Sequence, residues 1–141
     1  MIARDEQILN LIPQRPPIVM IDKFFSAADG KTMTGLTVKT SNIFVEDGFL
    51  REPGLIENIA QSAAAGVGYV YSNSGKPIPL GFIGAVKNLK VYSLPAVGDE
   101  LVTDVKIEHE VFEITMISSR IHSNEKLVAE CEMKIYLQPS Q

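Results

Sequence analysis

One acid, Glu57, stands in the run Pro53-Gly54-Leu55-Ile56-Glu57-Asn58-Ile59-Ala60-Gln61-Ser62-Ala63-Ala64-Ala65-Gly66, whose other members are apolar, small or uncharged. Burial among Ile and Ala favours the protonated form of a carboxyl group, which suits it to donate a proton, while a helix dipole at its N-terminus opposes this. Buried acids are uncommon outside functional sites, so Glu57 is a candidate for chemistry. The alternative for Glu57 is a carboxylate paired across a dimer. Two histidines, His109 and His122, lie late in the chain. Neither has a Cys, Asp or His neighbour at ligand spacing, so no metal site is expected. No nucleophile motif or phosphate-binding loop is present.

The elements that position Glu57 follow from periodicity. Leu55 to Tyr71 is expected to be helical, with Glu57 in its first turn. At about 100° per residue, Glu57, Asn58, Gln61 and Ser62 form a short polar strip that Ala65 and Gly68 continue. Such a helix, apolar over most of its circumference, belongs in a core, with Glu57 facing a cavity or a subunit interface. A short leading helix is expected over Glu6 to Ile12, ended by Pro13. Ile18 to Phe25 and Thr32 to Lys39 read as a hairpin around Ala28-Asp29-Gly30. After the turn formers Asn73-Ser74-Gly75-Lys76-Pro77 come an extended segment from Leu80 to Ser93 and three further strands. In the first of these, Leu101, Thr103, Val105, Ile107 and His109 share the inward face. In the last, Leu127, Ala129, Cys131, Met133, Ile135 and Leu137 do so. The expected architecture is α+β, an antiparallel sheet wrapped around one long central helix, with four strands after the helix forming a meander.

The 141 residues are enough for one domain, 1–141, and too few for two ordinary ones. A net charge of −4 with scattered Lys and Arg speaks against nucleic-acid partners. The one cysteine, Cys131, rules out a disulfide within the chain and reads as a core thiol. No apolar stretch approaches the roughly 18 residues of a membrane helix, and a cytoplasmic protein is expected.

Three segments together resemble the hotdog-fold 3-hydroxyacyl-acyl-carrier-protein dehydratases. Leu11-Ile12-Pro13-Gln14-Arg15-Pro16-Pro17-Ile18-Val19-Met20-Ile21-Asp22-Lys23 is similar to that family's opening, Leu-Pro-His-Arg-x-Pro-Phe-Leu-Leu-Val-Asp-Arg, with Gln14 in place of the His. Pro53-Gly54 and Ile56-Glu57-Asn58-Ile59-Ala60-Gln61 resemble its Pro-Gly and Ile-Glu-Ala-Met-Ala-Gln. Gly84 to Val91, with Pro95-Ala96-Val97-Gly98-Asp99-Glu100-Leu101, resembles its later strand and Pro-Gly-Asp-x-Leu turn. The family's catalytic His, however, has no counterpart in Phe44-Val45-Glu46-Asp47-Gly48-Phe49-Leu50-Arg51-Glu52. Asp47 stands nearest its position, though Glu-Asp-Gly is also ordinary turn chemistry.

The resemblance implies a hotdog fold and a substrate carried as a thioester on phosphopantetheine, with no other cofactor. It also implies Glu57 as the acid that protonates the departing hydroxyl, with Asp47 as the candidate for the base. The amides of Gly54 and Leu55 would polarise the thioester carbonyl, and Asn58 and Gln61 would complete the substrate site. Arg15, Arg51, Lys87 and Lys90 would meet the phosphate of the arm or an acidic carrier protein. The expected partners are an acyl carrier protein or coenzyme A thioester and a second hotdog subunit, identical or different. Two other activities fit the same residues: a catalytically silent subunit completing the site of a His-bearing partner, and a thioesterase in which Glu57 activates water.

Overall fold

The computed structural model describes residues 1–138. Strand β1 (Ala3–Arg4) leads into a 3₁₀ helix, Asp5–Asn10, where the spacing predicts a short helix. Strands β2 (Lys23–Ala28) and β3 (Lys31–Thr37) form the expected hairpin. Its turn residues, Asp29 and Gly30, have φ of 54° and 74°, the left-handed pair a two-residue hairpin turn requires. The first strand begins later than Ile18, because Gln61 takes the Ile18 carbonyl and the Met20 amide.

A second, two-stranded hairpin, β4 (Val45–Glu46) and β5 (Phe49–Leu50), precedes the central helix α1 (Glu52–Asn73). The helix starts three residues before Leu55, since Pro53 is tolerated in a first turn whose N–H groups have no helical partner. Glu57 is consequently in the second turn, not the first. At the other end Gly75, with φ of 69°, donates to Ser72 O and closes the helix.

Four long strands follow, β6 (Leu80–Val91), β7 (Glu100–Val111), β8 (Ile114–Ser123) and β9 (Lys126–Gln138). The sheet order is β1-β2-β3-β7-β8-β9-β6. The expected meander thus holds for β7 to β9 only, and β6 crosses to pair with β9 at the far edge. Alternation buries Leu101, Thr103 and Val105, but a register shift between Ile107 and His109 reverses the phase. His109 is therefore exposed, contrary to the inward placement its spacing implies.

The sheet curves round α1, which packs on β2, β3, β6, β7 and β8. Leu55 and Ile59 meet Leu101, Val105, Ile117 and Met133 in the main core. Each such fully buried side chain is worth about 1.5–3 kcal/mol. Ile8, Leu11, Phe24 and Ala65 form a second cluster beneath the 3₁₀ helix. Two glycines allow the close approach: a Cβ on Gly66 would run into Thr32, and one on Gly68 into the carbonyl of Leu11. This is the hotdog arrangement, one antiparallel sheet wrapped round one long helix.

Candidate active site

The polar strip of α1 faces inward, and nearly all of it is spent on holding the helix in place. Asn58 donates to Met20 O at 2.8 Å and accepts from Thr103 Oγ1 at 2.5 Å. Ser62 Oγ lies 2.6 Å from Thr34 Oγ1 and donates to Asn58 O at 2.6 Å. Gln61 accepts from the Met20 amide at 2.6 Å and donates to Ile18 O at 2.9 Å. Asn58, Gln61 and Ser62 are fully buried. Buried polar groups need partners, and here the sheet and the Ile18–Met20 segment provide them. Asn58 and Gln61, expected to bind substrate, have their amides committed to the protein itself.

Glu57 differs. Its Oε1 accepts a third contact of Gln61, from Nε2 at 2.8 Å, and Oε2 has no partner among the described residues. The side chain is half-buried and lines a cavity of about 490 Å³ between α1 and the inner face of the sheet. Along the helix Glu57, Ala60, Ala64, Val67 and Tyr71 follow one face of this cavity. At about 1.5 Å per residue they mark out about 20 Å of wall. Ile107, Ile117, Ile135 and Leu137 face them from the sheet. The result is an elongated, largely apolar chamber in the usual size range for ligand sites, with Glu57 on its helix wall and Asp29, Lys31 and Glu110 also in its lining.

No histidine lines the chamber among the described residues. Asp47 does not line it either. It occupies the exposed turn of the β4–β5 hairpin, where Asp47 and Gly48 have φ of 54° and 84°. That is the left-handed pair of a tight hairpin, a structural reason for Asp-Gly at this point. The amides of Gly54 and Leu55 both donate to Arg51 O, at 2.9 and 3.3 Å. Gly54 also has a packing role, since a Cβ there would press on Leu50 and Phe44.

The four expected carrier-binding cations lie on three separate elements. Arg15 donates from Nη1 to Ile12 O and Gln14 O, both at 2.8 Å, and so pins the loop before β2. Arg51 caps α1 and pairs with Glu52 at 3.2 Å. That contact, after the Glu52 backbone amide, holds the Glu52 carboxyl below its ordinary value. Lys87 and Lys90 are exposed on β6, in register with Glu132 and Glu130 of β9. Gln14, which stands in place of the His of the resembled opening motif, is on the chamber wall, and so are Lys31, Asp29 and Glu110, which no chemistry-bearing motif marks. The β2–β3 turn that brings Lys31 there is legible, but the curvature of the sheet is not. No group of three or more His, Cys, Asp or Glu side chains placed to hold a metal ion occurs among the described residues, and no helix is long and apolar enough to cross a membrane.

The geometry has close relatives. The chain is 28% identical over 131 residues to the 3-hydroxyacyl-[acyl-carrier-protein] dehydratase FabZ of Desulfotalea psychrophila, covering 89% of this chain and 87% of that one. It is 31% identical over 108 residues to the FabZ of Halalkalibacterium halodurans, covering 72% and 75%. Among solved structures, the dehydratase heterocomplex ApeI:P from Xenorhabdus doucetiae superposes with a TM-score of 0.87, at 16% identity, over 95% of this chain and 91% of that one. A family model described as ApeP dehydratase matches residues 6–141. With sequence match and hotdog architecture in agreement over nearly the whole length, the chain belongs to the ApeP-like family of dehydratases.

Proposed function

We propose that this chain is one subunit of a two-chain hotdog dehydratase acting on 3-hydroxyacyl thioesters, in which Glu57 supplies the acid and a second subunit supplies the base. The observation that carries this is the chamber itself, a largely apolar channel with Glu57 on its helix wall, Asp29 and Glu110 on the sheet side and no histidine among the described residues of its lining. Asp47, held in its exposed turn, stands away from that wall, and Asp29 and Glu110 meet it as exposed residues, so the base is placed on another chain. A solved dehydratase of the same fold is a heterocomplex, and the exposed apolar residues Phe82, Ile83 and Val86 of edge strand β6 offer a face for a second hotdog subunit.

In the reaction the base removes a proton from C2 while the C3–O bond breaks. The oxygen takes the Glu57 proton and leaves as water, and the electron pair of the C2–H bond becomes the C2=C3 double bond. No electrons are transferred, so the chemistry needs no redox cofactor. The phosphopantetheine arm of a carrier protein or of coenzyme A delivers the acyl group, with Lys31 on the chamber wall by the β2–β3 turn as the cation to meet it. A role in fatty acid or polyene synthesis, in the cytoplasm, follows from this substrate class.

The test is incubation with a 3-hydroxyacyl carrier-protein thioester, alone and with a His-bearing hotdog partner, following enoyl product and free thiol. Enoyl product only with the partner, reduced about 100- to 10,000-fold by Glu57→Gln, is the expected result. Enoyl product from the chain alone would reject the division of labour. Free thiol in place of enoyl product would make it a thioesterase.

A further inference from the structure

The outer face of the sheet carries an apolar row at one end. Phe82 of β6, Tyr136 of β9, Ile114 of β8 and Val111 of β7 are paired in register across four strands, so their side chains share one face. Thr115 and Ile135, the adjoining residues of β8 and β9, are buried, which puts the row on the solvent side. Further along the same face the pairs are Glu132 with Ser118 and Lys87, then Glu130 with Arg120, as solvation requires. Phe82, Tyr136 and Val111 are nonetheless exposed, and the Tyr136 ring lies across Gly84, where a Cβ would collide with it. Contiguous exposed apolar surface marks an interaction site.

The row runs on into Phe112, which is fully exposed and has φ of 56°. The β2–β3, β4–β5 and β8–β9 turns instead open on Asp29, Asp47 and Asn124 at left-handed φ, residue types that tolerate it. An aromatic ring in that conformation and in water does nothing for the isolated chain, so its use lies in what it meets.

Phe112 also lines the chamber, with Tyr71, at the end away from Glu57. Asn58, beside Glu57, is bonded to Thr103, and β7 continues from Thr103 to Val111 for about 26 Å. On the helix side, Glu57 to Tyr71 is about 20 Å. A phosphopantetheine arm has about 16 bonds from its phosphorus to C3 of the acyl group and extends about 20 Å. With C3 at Glu57 the phosphate is at this mouth, and the protein that bears it rests on the rim. Asp29, Lys31 and Glu110 give the rim no net positive charge, so its apolar row is what it offers to that protein.

Resting on the dehydratase reading above, we propose that Val111, Phe112, Ile114 and Tyr136 are the seat of the carrier protein that presents the acyl arm, with Phe112 as its anchor. Lys31 meets the phosphate, and the apolar row holds the carrier itself.

The experiment compares one 3-hydroxyacyl group on the carrier protein and on free pantetheine, turned over by the chain with its hotdog partner. Phe112→Asn retains a residue suited to the left-handed turn, and Val111→Thr retains a strand former. Phe112→Asn should raise KM for the carrier-borne substrate about tenfold at unchanged kcat, the scale of an interface anchor, and Val111→Thr should raise it by less. Neither should alter KM for the free pantetheine thioester, and Phe112→Asn should melt no lower than the wild type. Salt should change the carrier KM little, since an apolar seat is not screened. A carrier KM that does not move overturns the assignment, as does one that rises equally for both substrates, because the residues then act on the arm. So does a loss that appears only because the variants fail to assemble with the partner, which makes the row a subunit face. Each of these leaves the dehydratase reading intact, whereas no enoyl product from either substrate with wild-type protein removes that reading and this one together.

Discussion

Gln61→Met is the sharpest probe of how the site is held. The fully buried amide makes three contacts, accepting from the Met20 amide at 2.6 Å and donating to Ile18 O at 2.9 Å and Glu57 Oε1 at 2.8 Å. Methionine fills nearly the same volume but makes none of them. The Met20 N–H would be left buried and unsatisfied, at a cost of about 1–3 kcal/mol. Ile18 O is only partly buried and can be rewetted, so losing its bond costs about 0.5–1.5 kcal/mol. Together the variant should lose about 2–4 kcal/mol, a large share of the roughly 5–15 kcal/mol by which domains are stable. At about 3 °C per kcal/mol for a chain of this size, the melting temperature should fall by about 6–12 °C. Urea and thermal denaturation would read this directly. Gln61→Glu sharpens the test, since it keeps an acceptor for Met20 but sets a carboxyl where the donor stood, beside Glu57. Its deficit should shrink on acidification, when the introduced carboxyl is protonated and can donate in place of the amide. A loss below about 1 kcal/mol in Gln61→Met, or equal deficits in both variants at every pH, would refute the view that this amide clamps the helix to the loop.

Two further outcomes follow from packing and burial. Gly68→Ala, a change that in an exposed helix interior gains about 0.8–1 kcal/mol, should instead cost about 1–3 kcal/mol here, because the added Cβ meets the Leu11 carbonyl; a stabilised variant in chemical denaturation would show that α1 and Leu11 are not in close contact. Burial, reinforced by the charge of Glu132, pushes the Cys131 thiol from an ordinary value of 9.0 to about 11. The folded state therefore holds the proton longer than the unfolded chain, and the stability this contributes is complete below pH 9.0 and lost as pH rises through about 11. The wild type should lose about 2–3 kcal/mol more than Cys131→Ala across that window in urea titrations, and the native thiol should resist alkylation at about pH 8.

Much of the fold is legible because its signals are local. The β2–β3 hairpin is announced by Asp29-Gly30, α1 by its run of small and apolar residues, and β7 to β9 by alternation. What is not legible is set over long distances. Ile18 to Asp22 has strand-like composition, but Gln61, more than forty residues later, takes the hydrogen bonds that a strand would need. The register shift before His109 adds one residue without a compositional mark and turns the side chain outward. The position of β6 beyond β9 depends on pairing that no neighbouring residue encodes. Within the site, Glu57 is conspicuous because it is the one charge in its stretch of helix. Asn58 and Gln61 are recognisable as members of a polar strip, but the direction that strip faces depends on how the sheet wraps.

The same strip explains why so few groups are left for chemistry. A helix this poor in large side chains gains less from apolar burial than one rich in Leu and Ile, and α1 adds hydrogen bonds from Asn58, Gln61 and Ser62 to Met20, Ile18, Thr103 and Thr34. Those bonds fix the helix at one rotation and depth, which in turn fixes the face that runs from Glu57 through Ala60, Ala64 and Val67 to Tyr71. Small residues on that face leave the chamber open, while Asn58, Gln61 and Ser62 on the adjoining strip are spent on bonds within the protein. Oε2 of Glu57 is what the helix leaves without a partner on that face among the described residues. One acid can protonate a leaving hydroxyl, but it cannot in the same step remove a proton from the adjacent carbon. On the proposed reading, this chain contributes half of an acid–base pair and meets the other half on a second subunit.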